Sequence, residues 1–167
     1  MKNFVLRYGI VAGCLSVTLA LINWFFVART LGKNASEVVG YLSVVVALLC
    51  VPLGIKYFRD KLNKGVVTFG QGFNIGIGIT LINATIMFFY SVLFFVIEGE
   101  NMQAWREREM SPVELEEVMA QLSAMPEFMT GPWGQGLVIF LMILLVGLII
   151  DLISSLLLKR AVLPTPR

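Results

Sequence analysis

Asp151 is the residue best placed to do chemistry, because it is the one ionisable side chain well inside an apolar stretch of this chain. It directly follows the charge-free run 128–150, and the next charge, Lys159, lies eight residues on. At helical rise that puts the carboxyl ~12 Å from the basic end of the segment. Even a mild insertion scale charges ~3 kcal/mol for such an acid, so an intramembrane Asp marks a functional site by default. At the same depth the expected neighbours are Ser16 on a first span, Ala47 or Cys50 on a second and Asn74 on a third. Asp151, Asn74, Ser16 and Asn83 form the candidate intramembrane polar site. None of the neighbours is cationic. Three roles are open to the carboxyl: a hydrogen bond that fastens helices, proton or cation binding, and a subunit contact.

A second group of interest is the basic run Lys56, Arg59, Asp60, Lys61 and Lys64. Arg59 and Asp60 can pair, and the cluster can hold anionic lipid headgroups at ~1 kcal/mol per charge. A plain anchoring role explains the same residues. Other chemistry finds no support. The chain has no His, so it lacks the usual base near neutral pH and the commonest metal ligand. No paired acids lie in the apolar stretches, and no Ser is accompanied by a base. Cys14 and Cys50 read as small packing residues, since two thiols alone make a poor metal site and a disulfide is not expected there. Gly70, Gly72 and Gly76 suggest a phosphate loop, but no strand precedes them and no Gly-Lys-Ser/Thr follows. No catalytic, cofactor-binding or metal-binding residue is assigned, and the chain is not expected to be an enzyme. A net charge of +2 gives no footprint for nucleic acid.

The elements that must position these residues are four charge-free stretches. They are 8–28 (21 residues), 38–55 (18), 65–97 (33) and 128–150 (23). A helix of ~20 apolar residues crosses a hydrocarbon core of ~30 Å. Hydrophobic residues are 57% and charged residues 14% of the chain, with mean hydropathy +0.83. The expected fold is all-α: one integral membrane domain of 167 residues, with four transmembrane helices in a compact bundle and one extracytoplasmic amphipathic helix. The spans are placed near 4–28, 38–58, 68–97 and 133–158. The first follows Lys2 and Arg7, but its run is too long for a signal peptide and Phe26 and Ala28 make a poor cleavage site.

Charge fixes the expected orientation. With four spans, one side holds Lys2, Arg7, Lys56, Arg59, Lys61, Lys64, Lys159, Arg160 and Arg167, nine of the 13 basic residues. Positive charge stays cytoplasmic, so both termini and the 56–64 hairpin are expected inside. The outer segment 98–132 carries eight glutamates against Arg106 and Arg108, a net charge of −6. Within it, Ser111-Pro112-Val113-Glu114 has the spacing of a capping box with Pro at the first helical position. Leu115, Val118, Met119 and Leu122 then recur at helical spacing up to Pro126. Trp105 and Met102 suggest a short separate turn before it. Trp24 and Trp133 fit an outer aromatic belt. Asn34-Ala35-Ser36 matches a glycosylation acceptor only weakly, and the tail 164–167 is expected to be disordered.

Small and polar residues recur every three or four positions. Gly9, Gly13, Ser16, Ala20 and Asn23 do so in the first span, and Gly40, Ser43, Ala47, Cys50 and Gly54 in the second. Gly72, Gly76, Thr80 and Asn83 follow in the third, and Gly147, Asp151 and Ser154 in the fourth. That step keeps each set on one helix face. Lipid tails are as apolar as Leu, so close approach at small residues and interhelical hydrogen bonds must hold the bundle together. Pro52, followed by Gly54, predicts a kink in the second span. Thr68 is expected to cap the third helix, with Phe69 and Phe73 at the interface.

The run Gly54-Ile55-Lys56-Tyr57-Phe58-Arg59-Asp60-Lys61, then Gly65 and Thr68-Phe69-Gly70-Gln71-Gly72-Phe73, resembles the hallmark of the bacterial domain of unknown function 4199 family. Arg7-Tyr8-Gly9 and Gly13 fit it too. The resemblance covers essentially the whole chain. It implies a small integral protein of the bacterial inner membrane and transfers no active site. Three functional classes follow from the sequence. A non-enzymatic scaffold or accessory subunit is favoured, its partner being another membrane protein or a second copy. A small oligomeric transporter or channel built on Asp151 is the alternative. An intramembrane enzyme comes last.

Overall fold

A computed structural model describes residues 2–160. The 164–167 tail and the charge of Arg167 lie outside the described residues. The described chain is helical almost throughout. Helix α1 spans Lys2–Ile22 and leads through a π-helical segment, Asn23–Ala28, into α2, Arg29–Leu48. Helix α3, Cys50–Tyr57, ends in a second π-helical segment, Phe58–Leu62. Then come α4 (Phe69–Glu109), α5 (Pro112–Ala124), α6 (Glu127–Thr130) and α7 (Pro132–Leu158). Three helical stretches are long and apolar enough to cross a membrane: Asn3–Leu62, Phe69–Glu109 and Pro132–Leu158.

The first stretch doubles back on itself. Gly32 has φ +79° and ψ −174° inside α2, a conformation open to glycine but not to ordinary L-residues. Across the reversal, the Asn23 side-chain amide donates to the Ser36 carbonyl at 3.0 Å. At the far end Phe4 stacks on Phe58 with ring centroids 5.7 Å apart, and Tyr8 meets Tyr57 at 5.8 Å. Helix α1 is therefore antiparallel to α2 and α3. The polar connector expected between these arms winds as helix on both sides of Gly32. Further on, Pro52 has no N–H for the Leu48 carbonyl and its ring crowds that oxygen. The helix breaks there, at Leu49, between α2 and α3.

Helix α4 is the central post. It runs parallel to α1, with Gly9 against Ile82 and Gly13 against Ile86. It runs antiparallel to α3, where Ile55 meets Gly72 and Val51 meets Gly76, and to α7, where Gly147 meets Thr80. Thr68 caps it in a full capping box with Gln71. At its other end α4 continues to Glu109, well beyond the expected boundary near residue 97. Residues 98–109 contain no Pro, and Arg106 and Arg108 in the last turn suit the negative end of the helix dipole. The short separate turn expected around Met102 and Trp105 is thus the last part of α4. At 41 residues the helix is ~61 Å long, so it projects past any bilayer. Ser111 and Glu114 form the expected capping box of α5, with Pro112 at the first position. No residue of α5 is fully buried.

Candidate functional site

Gly76 and Gly147 let α4 and α7 approach until a methyl group has no place at either position. A Cβ on Gly76 would stand 2.7 Å from the Asp151 carboxyl carbon and 3.2 Å from Val51, and one on Gly147 would stand 2.8 Å from the Thr80 hydroxyl. Asp151 fills the space so defined and is 0% exposed. Thr80 Oγ1 donates to Asp151 Oδ2 at 3.3 Å. Asp151 Oδ1 has no hydrogen-bond partner, nor does Ser155 Oγ, one turn further along α7 against Gly72. No ion pair reaches Asp151 among the described residues. A carboxyl in these surroundings can accept from Thr80 and, when protonated, can itself donate.

The other expected members of this polar site fall in different places. Ser16 Oγ donates to Asn83 Oδ1 at 2.9 Å in a separate buried layer between α1 and α4, and Asn83 Nδ2 has no partner. Asn74, expected beside Asp151, is instead exposed on α4. The α4 residues that meet the carboxyl are Gly76 and Thr80. The reason is register. Val67 and Arg160 exchange two backbone hydrogen bonds, at 3.0 and 2.8 Å. Counting inward from that bridge in equal steps brings Gly72 to Ser155, Gly76 to Asp151 and Thr80 to Gly147. The expected Asn74 falls two residues short of Gly76, about half a turn, and so on the wrong face of the helix.

At the basic hairpin, Arg59 makes two hydrogen bonds to Asp60, at 2.6 and 3.2 Å. Its remaining nitrogen reaches the Leu158 carbonyl at 3.5 Å, where the last carbonyls of α7 lack helix partners. The hydrogen bond from Arg59 holds the Asp60 carboxyl below the ordinary carboxylate range. Arg59 therefore ties the hairpin to α7, while Lys56, Lys61 and Lys64 are exposed. Lys64 and Gly65 turn the chain with φ of 52° and 84°.

A third polar cluster, at the other end of the bundle, escaped the sequence reading. Glu98 Oε2 accepts from Trp24 Nε1 at 3.1 Å, from Arg29 at 3.2 Å and from Asn101 at 3.2 Å. Trp105 Nε1 donates to the Ala28 carbonyl at 3.0 Å, and its ring lies edge-on to Trp24 at 5.8 Å. Lys33 pairs with Glu114 at 3.0 Å. The matched depths of Arg29 and Glu98, at the ends of two adjacent runs, were the available signal. The Ser111 N–H, joined by Lys33, lowers the Glu114 pKa to about 2.

Together, three helical stretches long and apolar enough to cross a membrane, packed on small residues around a sealed acid, make this an all-helical chain suited to a membrane. The family described as Protein of unknown function (DUF4199) matches residues 7–160, and the chain belongs to that family. No match is found among the curated proteins or the solved structures.

Proposed function

We propose that this protein crosses the bacterial inner membrane four times, with both termini cytoplasmic, and serves as a non-enzymatic scaffold or accessory subunit. The reversal at Gly32 divides the first apolar stretch into two crossings. The observation that carries the scaffold reading is the closure around Asp151. A carboxyl that is 0% exposed and boxed by Gly76, Val51 and Thr80 fastens α4 to α7 and borders no water-filled path within one chain. Helix α5 and the projecting end of α4 then form an acidic outer cap for a basic partner, while Lys56, Lys61 and Lys64 hold anionic headgroups inside.

Copurification from native membranes tests the reading. A stoichiometric membrane-protein partner is expected, and a homo-oligomer with a hydrated centre would overturn it. Orientation is tested by labelling a Ser111→Cys variant. Labelling only from the cytoplasmic side would defeat the topology. The transporter reading draws on one observation, the unpartnered Asp151 Oδ1. Asp151→Asn separates the two, since Asn retains the hydrogen bond to Thr80 and loses the titrating proton. Full cellular function in that variant excludes proton coupling through this residue.

A further inference from the structure

A cavity of about 290 Å³ lies in the outer half of the bundle, between α1, α2, α4 and α7. That is roughly twice the engineered apolar cavity of ~150 Å³ that takes up benzene. Its walls are largely hydrocarbon, with Met87 and Ile143 among them, and carry no charged side chain. Its roof is fixed: Trp24 lies edge-on to Phe94 at 5.6 Å, and its indole N–H is held by Glu98. Two residues that line this apolar space carry buried polar atoms without partners. Ser91 is 2% exposed and its hydroxyl bonds to nothing. The Asn23 amide spends its N–H on Ser36, which leaves Oδ1 as a buried spare acceptor. Buried polar groups in native proteins have partners as a rule, so two orphans on one cavity need an explanation.

We propose that this cavity binds one uncharged, mainly hydrocarbon alcohol drawn sideways from the bilayer. A side-chain rotation turns Asn23 Oδ1 or the Ser91 hydroxyl toward the ligand's hydroxyl, and the hydrocarbon chain lies against Met87 and Ile143. Charged amphiphiles are disfavoured because nothing in the walls neutralises them. Entry is lateral: α2 and α7 barely touch, and Met142, on the cavity wall of α7, is 38% exposed. Gly40 lines the cavity from α2, and a Cβ there would make only an ordinary contact, 3.5 Å from the Asn23 amide nitrogen. A larger side chain at that position can therefore grow into the space.

The test uses the full chain in detergent on a Trp133→Phe background, which leaves Trp24 and Trp105 as fluorophores. The probe is a terminally brominated octanol, whose bromine quenches indole on contact. Saturable quenching is expected, and Gly40→Leu should raise the apparent Kd about tenfold or more, a loss of the kind that filling a site produces. Val44→Phe fills the same space and replaces Gly40→Leu if that variant does not fold. The alcohol should bind more tightly than brominated octane, and Ser91→Ala should reduce that preference about fivefold, the worth of one hydrogen bond. Non-saturating quenching, equal in the parent and the filled variant, would show mere partition into detergent and overturn the proposal. Equal affinity for alcohol and alkane in the parent would overturn it as well, by showing that the orphan groups are satisfied by water. Neither outcome bears on the scaffold reading, which rests on the opposite half of the bundle.

Discussion

Around Asp151, α4 and α7 close until Gly76 and Gly147 leave no room for a methyl group, whereas near Ser91, ~22 Å along α4 from Gly76, the helices part over a cavity. Small residues line both regions. In the first they bring backbones together; in the second Gly40 and Ser43 leave space unfilled. Unpaired polar atoms occur in both, but with different surroundings. Asp151 Oδ1 lies where the helices close, while Asn23 Oδ1 and the Ser91 hydroxyl belong to residues that line the cavity. Small residues in a membrane helix thus report either a fastening or a vacancy, and only the facing helix decides which.

The sharpest way to break this contrast is to place the same side chain in both regions. Gly147→Leu drives a branched chain into Thr80 and should cost about 3 kcal/mol, the upper range for overpacking. Gly40→Leu should change stability by less than about 1 kcal/mol, because it enters free space. Reversible unfolding in mixed micelles measures both, and equal losses would end the distinction. A smaller effect is expected at the acid. Asp151→Leu, crowding Gly76 and stranding Thr80, should cost about 2 kcal/mol, but Asp151→Asn less than about 1 kcal/mol. If Asn is as damaging as Leu, the carboxyl does more than fasten.

Hydroxyl deletions sharpen the comparison further. Thr80→Val removes a made hydrogen bond and should cost about 1 kcal/mol, while Ser91→Ala removes an orphan and should be neutral or slightly stabilising. A clear loss from Ser91→Ala in the absence of ligand would show that its hydroxyl already has a partner. The smallest effect lies at the start of α5. Glu114 titrates at about 2 in the folded protein, down from 4.5, so its contribution is full above its ordinary value. It is lost as pH falls through about 2. Protection of the amides at the start of α5, corrected for the intrinsic pH dependence of exchange, should fall over that window, and the fall should be smaller in Lys33→Ala, which removes the second cause of the shift.

Much of this was legible in the chain itself. Charge-free length marked the helices, and Thr68 as a cap and Ser111 with Glu114 as a capping box marked two helix starts, because helix capping is a local device that needs no tertiary partner. The small-residue stripes of α4 and α7 came through intact: Gly72, Gly76, Thr80, Asn83, Gly147, Asp151 and Ser154 are all buried. Cys14, read as a packing residue, is exposed. Pairing between helices was not legible. Which residue of α4 meets Asp151 depends on a two-bond backbone bridge whose residues, Val67 and Arg160, carry no sequence signature. The length of α4 was hidden as well, since its last turns are charged and the membrane criterion that ended it near residue 97 says nothing about helix beyond the bilayer. The cavity was invisible for a similar reason: an absence of atoms has no residue type.

The bridge between Val67 and Arg160 has a consequence for the order in which the protein is made. Helix α4 leaves the ribosome long before α7, and α1 and α3 can cover their faces of it at once. The Gly72–Gly76–Thr80 face must wait uncovered until α7 arrives. The bridge lies just past the end of α7, so the register between α4 and α7 is pinned only once the last turn of α7 is in place. A chain halted before Pro132 would hold a grooved, unclaimed helix face, open to any factor that offers a substitute.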